Sequence, residues 1–497
     1  SLPPLSDCSD PEYLSARVRP PDDPAMRRRV EALSPRVSRL DALYDAGKYR
    51  QGLAESEDLL AEIGDEIHPP FLAEMLLLTA YFKDMTSDYA AAAELSERAI
   101  RVAARARHPV IVARAWALLL FIKGGKLQLM DEAEPLLEWV DMLAALADDD
   151  WTLVRALNGK GVVLADMGRY DEARAAHEQA LALGVEPLGE DHPLIAVTLN
   201  NLGSTLGRMG RYPESKEVFR RSLAIRERVL GADHPRIASA LNNLALVLTA
   251  VADYDEARAA HQRALSIRER ALGADHLKVA QSLTNLGPLL DMTGEYEAAE
   301  AIHRRALAIR ERVLGADHPR VAQPLSNLGL SLRYLGRLDE ALAVQKRALA
   351  IWEQALGADH PFVTIALTGL GDIAVARGAL AEAERYLARA LAISEARLGV
   401  GHPEQAQILL PQGALALARG KPERAAELLE RALTLGLTRV EPEVSLELAR
   451  ALWARNGKGD RARAVVVATR ARDRFAARPN PPQRARAEAW LADHPLP

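Results

Sequence analysis

The sequence repeats itself every 42 residues, and that period limits what the chain can fold into more than any other property it has. A Gly-x-x-His-Pro corner, or a close variant, stands at Gly189, Gly231, Gly273, Gly315, Gly357 and Gly399, so five successive steps of 42 residues pass without insertion or deletion. A unit of that size, copied without gaps, is one supersecondary element stacked on itself, each copy covering the apolar face of the last. Such an array is a single elongated body, and its 497 residues do not count domains.

Each unit reads as two antiparallel helices. Ile237, Leu241, Leu244 and Leu248 are spaced by four, three and four residues, which is the apolar stripe of a helix and not the alternation of a strand. The stripe recurs at Val279, Leu283, Leu286 and Leu290, and again at Val321, Leu325, Leu328 and Leu332. Small residues beside it, Gly203, Ala245, Gly287, Gly329 and Gly371, are expected to let the partner helix approach closely. The glycines among them lower helix propensity, so packing has to offset them. The second helix carries Tyr254, Ala257, His261, Ala264 and Arg268 and ends at Gly273, expected to be a left-handed cap. Asp275 and His276 then offer an N-cap, and prolines 193, 235, 319, 361 and 403 suit the first helical turn. Leu277 stands where the third unit lacks its proline.

The run Leu-Asn-Asn-Leu-Ala/Gly, the Gly-x-Tyr-x-x-Ala of Gly294 and Tyr296, and Arg-Ala-Leu-x-Ile together resemble the tetratricopeptide repeat in its 42-residue kinesin-light-chain form. The resemblance is close over residues 150–436 and looser over most of the rest. It implies an all-α, right-handed superhelix (an α-solenoid) of about ten or eleven antiparallel helix pairs, with first helices lining a concave surface. Residues 1–24, with Pro3, Pro4, Pro11, Pro20, Pro21 and Pro24, read as a lead-in without helix. Residues 25–149 hold drifted pairs, among them a helix through Pro35, and residues 437–497 a degenerate pair and a capping helix near residues 481–494. The lead-in phrases around Asp7, Cys8 and Asp10 and around Pro20 to Pro24, together with the Ala/Arg-rich bias, also resemble the C-terminal region of bacterial serine/threonine protein kinases of the myxobacterial kind.

Composition narrows the function classes. Aromatic residues are only 5% of the chain, which suits close-packed helices, and a net charge of −5 gives no general attraction for nucleic acid. The single cysteine, Cys8, excludes an internal disulfide framework and fits a cytoplasmic, reducing location. No run approaches 18 apolar residues; the best, residues 115–122, is flanked by Arg114 and Lys123 and is expected to be a buried helix. The chain lacks an initial Met and a secretory leader, so it is expected to begin inside a longer protein.

Catalytic motifs are missing. There is no Gly-rich loop with a strand lysine, no His-Arg-Asp, no Asp-Phe-Gly and no phosphate-binding Gly-x-x-x-x-Gly-Lys-Ser/Thr, and His177-Glu178 lacks the second histidine of a zinc helix. The corner histidines His192, His234, His276, His318, His360 and His402 each lie one repeat from the next. Packed helices stand about 8–10 Å apart, whereas zinc needs nitrogens at about 2.0–2.1 Å, so these are expected to hydrogen-bond their turns. His177, His261 and His303 are expected as core spacers. No cofactor, metal or small-molecule ligand is expected.

The candidate surface is an amide row. Stepping about 100° per residue from the apolar stripe, Asn201, Asn243, Asn285 and Asn327 fall on the outward face of successive first helices. Ser239, Gln281 and Gln323 lie four residues earlier on that face, and Arg208, Met292 and Tyr334 seven later. Amides both donate to and accept from an extended backbone, so the row suits a protein or peptide partner, and the function expected is a non-catalytic binding scaffold. Duplication of a neutral residue is the alternative, with a structural spacer or oligomerisation arm as the function. The row stops at Gly369 and Pro411. A basic cluster over residues 450–486, eleven Lys/Arg against Asp460 and Asp473, reads as a solvated face with little aromatic interleaving for nucleic acid.

Overall fold

The protein is described by a computed structural model covering residues 20–45, 47–86, 88–127, 129–147, 150–235, 237–437, 440–477 and 480–495. Cys8 and the phrases of the lead-in before residue 20 lie outside the described residues. Among the described residues all regular structure is helical, and it falls into two compact units, Ser1–Ala232 and Asp233–Pro497.

Unit 1 contains α1 (Pro24–Asp45), α2 (Tyr49–Ile63), α3 (Pro69–Met85), α4 (Tyr89–Arg105), α5 (Pro109–Leu120), α6 (Met130–Ala147), α7 (Asp150–Asp166), α8 (Tyr170–Leu188), α9 (Pro193–Arg208) and α10 (Tyr212–Leu230). Unit 2 contains α11 (Ile237–Ala250), α12 (Tyr254–Leu272), α13 (Leu277–Met292), α14 (Tyr296–Leu314), α15 (Pro319–Tyr334), α16 (Leu338–Leu356), α17 (Pro361–Ala376), α18 (Leu380–Leu398), α19 (Ala406–Ala418), α20 (Pro422–Thr434), α21 (Glu441–Arg455), α22 (Asp460–Ala477) and α23 (Pro481–Asp493). The drifted early pairs are therefore helix pairs as well. One detail departs from the pattern: α5 runs on as a π-helical turn, Phe121–Lys126, whose Gly124 meets Val163 so closely that a Cβ would lie 2.4 Å from it.

In the regular repeats a small residue on the first helix meets one bulky residue on the second, and this pairing sets how closely the two helices pack. A Cβ at Gly203 would stand 3.0 Å from the Phe219 ring, at Gly287 2.1 Å from His303, at Gly371 2.4 Å from Leu387 and at Gly413 2.5 Å from Leu429. His177, His261 and His303 are at most 1% exposed, so they are core spacers indeed. Leu241, Leu244, Leu283, Leu325 and Leu328 fill the stripe between, each at most 3% exposed.

The corners obey the 42-residue period but not in the predicted conformation. Gly273 has φ 84° and ψ 155°, extended in ψ, and the five corner glycines related to it have ψ of 149° to 157°. The left-handed helical cap is thus corrected to a conformation that is almost exclusive to glycine. A side chain at Gly273 would meet nothing within 4 Å, so substitution there tests backbone strain alone. Gly273→Ala is expected to cost about 1–3 kcal/mol, read as a shift in the urea midpoint. The next helix begins on histidine: ring Nδ1 of His276 accepts from the Lys278 amide at 3.0 Å, and His192, His318, His360 and His402 do the same two residues on. Asp275 is not the cap; it pairs with Arg312 near the end of α14, the second helix of the same repeat.

Within each unit, first helices of successive repeats approach one another closely, while the backbones of successive second helices stay farther apart and are bridged by long side chains, so the first helices form the inner row. The second helices are tied by exposed ion pairs that repeat with the sequence: Arg305–Glu269 at 2.5 Å, Arg347–Glu311 and Arg389–Glu353 at 2.6 Å, Arg431–Glu395 at 3.1 Å. Each such pair contributes about 0.2–1 kcal/mol. The apolar stripes, not this ladder, hold the repeats.

Candidate interaction surface

The inner row of unit 2 presents α11, α13, α15 and α17. Ser239, Gln281 and Gln323 are exposed and Asn243, Asn285 and Asn327 are half-buried, one residue of each kind per repeat. Beside these lanes the side chains of Leu246 (50% exposed) and Leu330 (42%) stand open to solvent, as does Ile365 (49%), which takes the place of Ser239, Gln281 and Gln323 in the next repeat. Sequence reasoning missed these apolar residues, although Leu246 and Leu330 recur two repeats apart just off the core stripe.

The middle of this face carries few charges: residues 237–250, 277–290 and 319–332 contain no carboxylate, and their only charged side chains are Lys278 and Arg320. The carboxylates of the inner row, buried Asp291 on α13 and Asp372 on α17, are engaged by His303 and Ser331 and by Arg333 respectively. Two further cations lie directly beneath. Arg268, 4% exposed, donates to the Lys278 carbonyl (2.8 Å), to Ser282 Oγ (2.9 Å) and to Ser239 Oγ (3.1 Å). Arg310, 8% exposed, donates to the Arg320 carbonyl at 2.5 Å. Burial lowers both guanidinium pKa values to about 10, and for Arg310 the charge of Arg320 adds to this. Both remain cations at neutral pH, held by neutral acceptors alone, so their charge is uncompensated at the groove floor.

The asparagine pair of α11 divides its work. Asn242 points inward: it is 2% exposed, donates to Ser282 Oγ at 3.0 Å and meets His261 Nδ1 at 2.9 Å, which stitches α11 to α13. Asn243, its neighbour, is the half-exposed one. In unit 1 the same sequence is used differently, because Asn201 Nδ2 donates to Asn158 Oδ1 at 3.1 Å and the amide is engaged by the preceding repeat. Arg208 is engaged too, bonding the Ala165 carbonyl at 3.0 Å and Asp166 at 2.7 Å.

Met292 and Tyr334 do not lie open. Tyr334 stacks on Tyr296 at 4.6 Å with an 11° interplanar angle, burial raises the pKa of both phenols, and the Met292 carbonyl accepts from Asn480 at 2.9 Å. The amide row therefore has an open middle and a covered flank. Beyond it Gly369 faces Gln345 and Pro411 is buried, where the row ends.

The basic cluster over residues 450–486 is largely neutralised in place. Arg450 and Arg486 share Glu447, Arg455 pairs with Asp460, Arg463 with Glu430, and Arg470 and Arg474 with Glu441. Most of those acids lie outside the segment, on neighbouring helices, which a linear count of residues 450–486 could not include. Among the described residues no three of His, Cys, Asp and Glu converge as metal ligands, and no helix is long and apolar enough to cross a membrane.

Comparison with known proteins agrees with this architecture. The tetratricopeptide repeat profile matches six overlapping spans between residues 152 and 436, and a second tetratricopeptide profile matches residues 410–477. No curated protein matches the chain. Among solved structures it is similar to the apo form of RapI, at 13% identity over 73% of this chain and 97% of that one, with a TM-score of 0.55. A Rap protein complexed with competence and sporulation factor is similar at 14% identity, over 74% and 99% of the two chains, with a TM-score of 0.51. BtubC (BKLC) from P. vanneervenii matches at 25% identity over 46% of this chain and 91% of its own, with a TM-score of 0.40.

Proposed function

The chain belongs to the tetratricopeptide repeat family, a scaffold typical of protein–protein interaction and generally without catalysis, and from that premise we propose that unit 2 holds an extended, acidic segment of a partner protein along its inner row. The observation that carries this reading is the amide row on a floor whose residues 237–250, 277–290 and 319–332 hold no carboxylate. The side chains of Asn285 and Asn327 bond no other described residue, and the floor between them is underlain by the Arg268 and Arg310 cations. Amides can grip a peptide backbone of any sequence. Packed helices stand about 8–10 Å apart and an extended chain advances about 3.3 Å per residue, so each amide would meet about every third residue. Carboxylates on the partner would answer the buried cations, and apolar side chains would cover Leu246 and Leu330.

The test is Asn285→Ala with Asn327→Ala in the intact chain. Both positions are helical and partly exposed, and Ala is the better helix former, so the melting temperature should hold. Lost hydrogen bonds are worth about 0.5–1.5 kcal/mol each, and two of them weaken a partner roughly tenfold. Partners captured from a lysate of the source cells by wild type and double variant are compared by titration. Equal recovery overturns the reading and leaves the row a relic of duplication, with the spacer arm as the function. A cytoplasmic signalling role as the regulatory arm of a serine/threonine kinase is a narrower form of the same proposal, resting on the lead-in phrases and the Ala/Arg-rich bias alone.

A further inference from the structure

Unit 2 touches itself across a long stretch of chain. Asn480 Nδ2 donates to the Met292 carbonyl at 2.9 Å, and Gln483 Nε2 reaches Tyr296 Oη at 3.4 Å, over separations of 188 and 187 residues. Asn480 is 4% and Gln483 8% exposed, so these are buried polar contacts and not surface grazes. The corner at Gly294 is shaped for this approach: a Cβ there would lie 2.7 Å from Asn480 Oδ1 and 2.8 Å from Pro482 Cδ, whereas the equivalent Gly336 and Gly378 have nothing within 4 Å. Oδ1 of Asn480 also caps α23 by accepting from the Gln483 amide at 3.1 Å. One side chain thus starts the helix and anchors it to a repeat nearly two hundred residues earlier.

The attachment is slight. α23 has 13 residues, a length at which an isolated helix is marginal in water. Only Gln483 and Ala487 of it are buried, with Trp490 packed edge-on to Trp453 at 5.9 Å. Its ion pair, Arg486 with Glu447 at 2.8 Å, has an arginine side chain 51% exposed. The repeat helices by contrast bury whole stripes: α13 alone buries ten residues. Elements with few buried apolar contacts open locally at far lower free energy than the core they rest on.

We propose that residues 480–493 form a displaceable strap over the Met292–Tyr296 corner that flanks the inner row, which a partner wider than a single extended strand must lift to occupy unit 2. Met292 and Tyr334 lie two helical turns, about 10 Å, from Asn285 and Asn327, so the strap walls one side of the amide row and leaves the row itself open. Its consequence for partner access rests on the peptide-binding reading; the strap's own opening does not.

Hydrogen exchange on the intact chain tests it. Amides of residues 484–493 should exchange at least tenfold faster than those of α13 and α14. In Asn480→Ala with Gln483→Ala that exchange should rise by about a further tenfold, and nitration of Tyr296 and Tyr334 by tetranitromethane should rise with it while α11 to α14 keep their protection. If α23 exchanges together with α13 in the wild type, or if the double variant changes neither readout, α23 is a fixed cap and the proposal fails. No groove ligand enters either measurement, so this failure and a failure of peptide binding are told apart.

Discussion

Replacing Phe219 by alanine is expected to destabilise the α9–α10 repeat by about 3–5 kcal/mol, the usual cost of emptying a buried aromatic site. Phe219 is 2% exposed, and its ring fills the space left by Gly203, where even a Cβ would stand 3.0 Å from three ring atoms. Alanine at 219 opposite glycine at 203 leaves both helices without a knob, and neighbouring side chains are anchored in their own repeats. Exchange protection of the α9 and α10 amides should fall by more than a hundredfold, since each 1.4 kcal/mol is a factor of ten. Phe219→His should lose much less, because His177 and His303 occupy the same seat opposite Gly161 and Gly287. Equal losses for alanine and histidine would show that the seat does not control the packing.

The same seat makes stability depend on pH. Burial lowers the pKa of His177 and of His261 to about 4, from an ordinary value of 6.5. The folded state therefore favours the neutral ring. Above pH 6.5 neither state is protonated and there is no penalty. As pH falls from about 6.5 towards 4 the unfolded chain takes up a proton that the folded chain refuses, and stability is lost throughout that window. A gap of about 2.5 pKa units at 1.36 kcal/mol each amounts to about 3 kcal/mol per histidine by pH 4. His177→Phe, which copies the Phe219 seat, should flatten the pH dependence of unit 1 unfolding between pH 6.5 and 4 by about that amount. An unchanged slope would mean that the ring is accommodated protonated. Carboxylate titration cancels in the comparison because only residue 177 differs.

Much of the architecture was legible because it is written in short-range terms. The four-three-four spacing of Ile237, Leu241, Leu244 and Leu248 fixes a helix and its buried face, and the small residue beside the stripe announces the close approach of the next helix. Copying then repeats the solution without new information. The corner glycines were found but their conformation was not: a glycine after a helix fits both the left-handed helical cap and the extended form seen at Gly273, and the choice depends on how His276 starts the next helix.

The candidate surface was legible only in part. Helical angle alone turned Asn243 outward; the burial of Asn242 beside it, where it bonds Ser282, came only from the structure. The same rule placed Met292 and Tyr334 on the open lane, whereas the Met292 carbonyl receives Asn480 at the start of α23 and Tyr334 stacks on Tyr296.

By itself the sequence determined the helix pair, its period, its buried stripe and the seats for Phe219 and the histidines, since each follows from residues within one repeat length. Tertiary structure alone decided which groups share a space: that Arg268 lies beneath Ser239 without a carboxylate, that Glu447 and Glu441 neutralise the basic cluster, and that Asn480 returns to Met292. Small rotations between repeats add up along the chain. Which distant repeat comes back into reach depends on that sum, and no single repeat of the sequence records it.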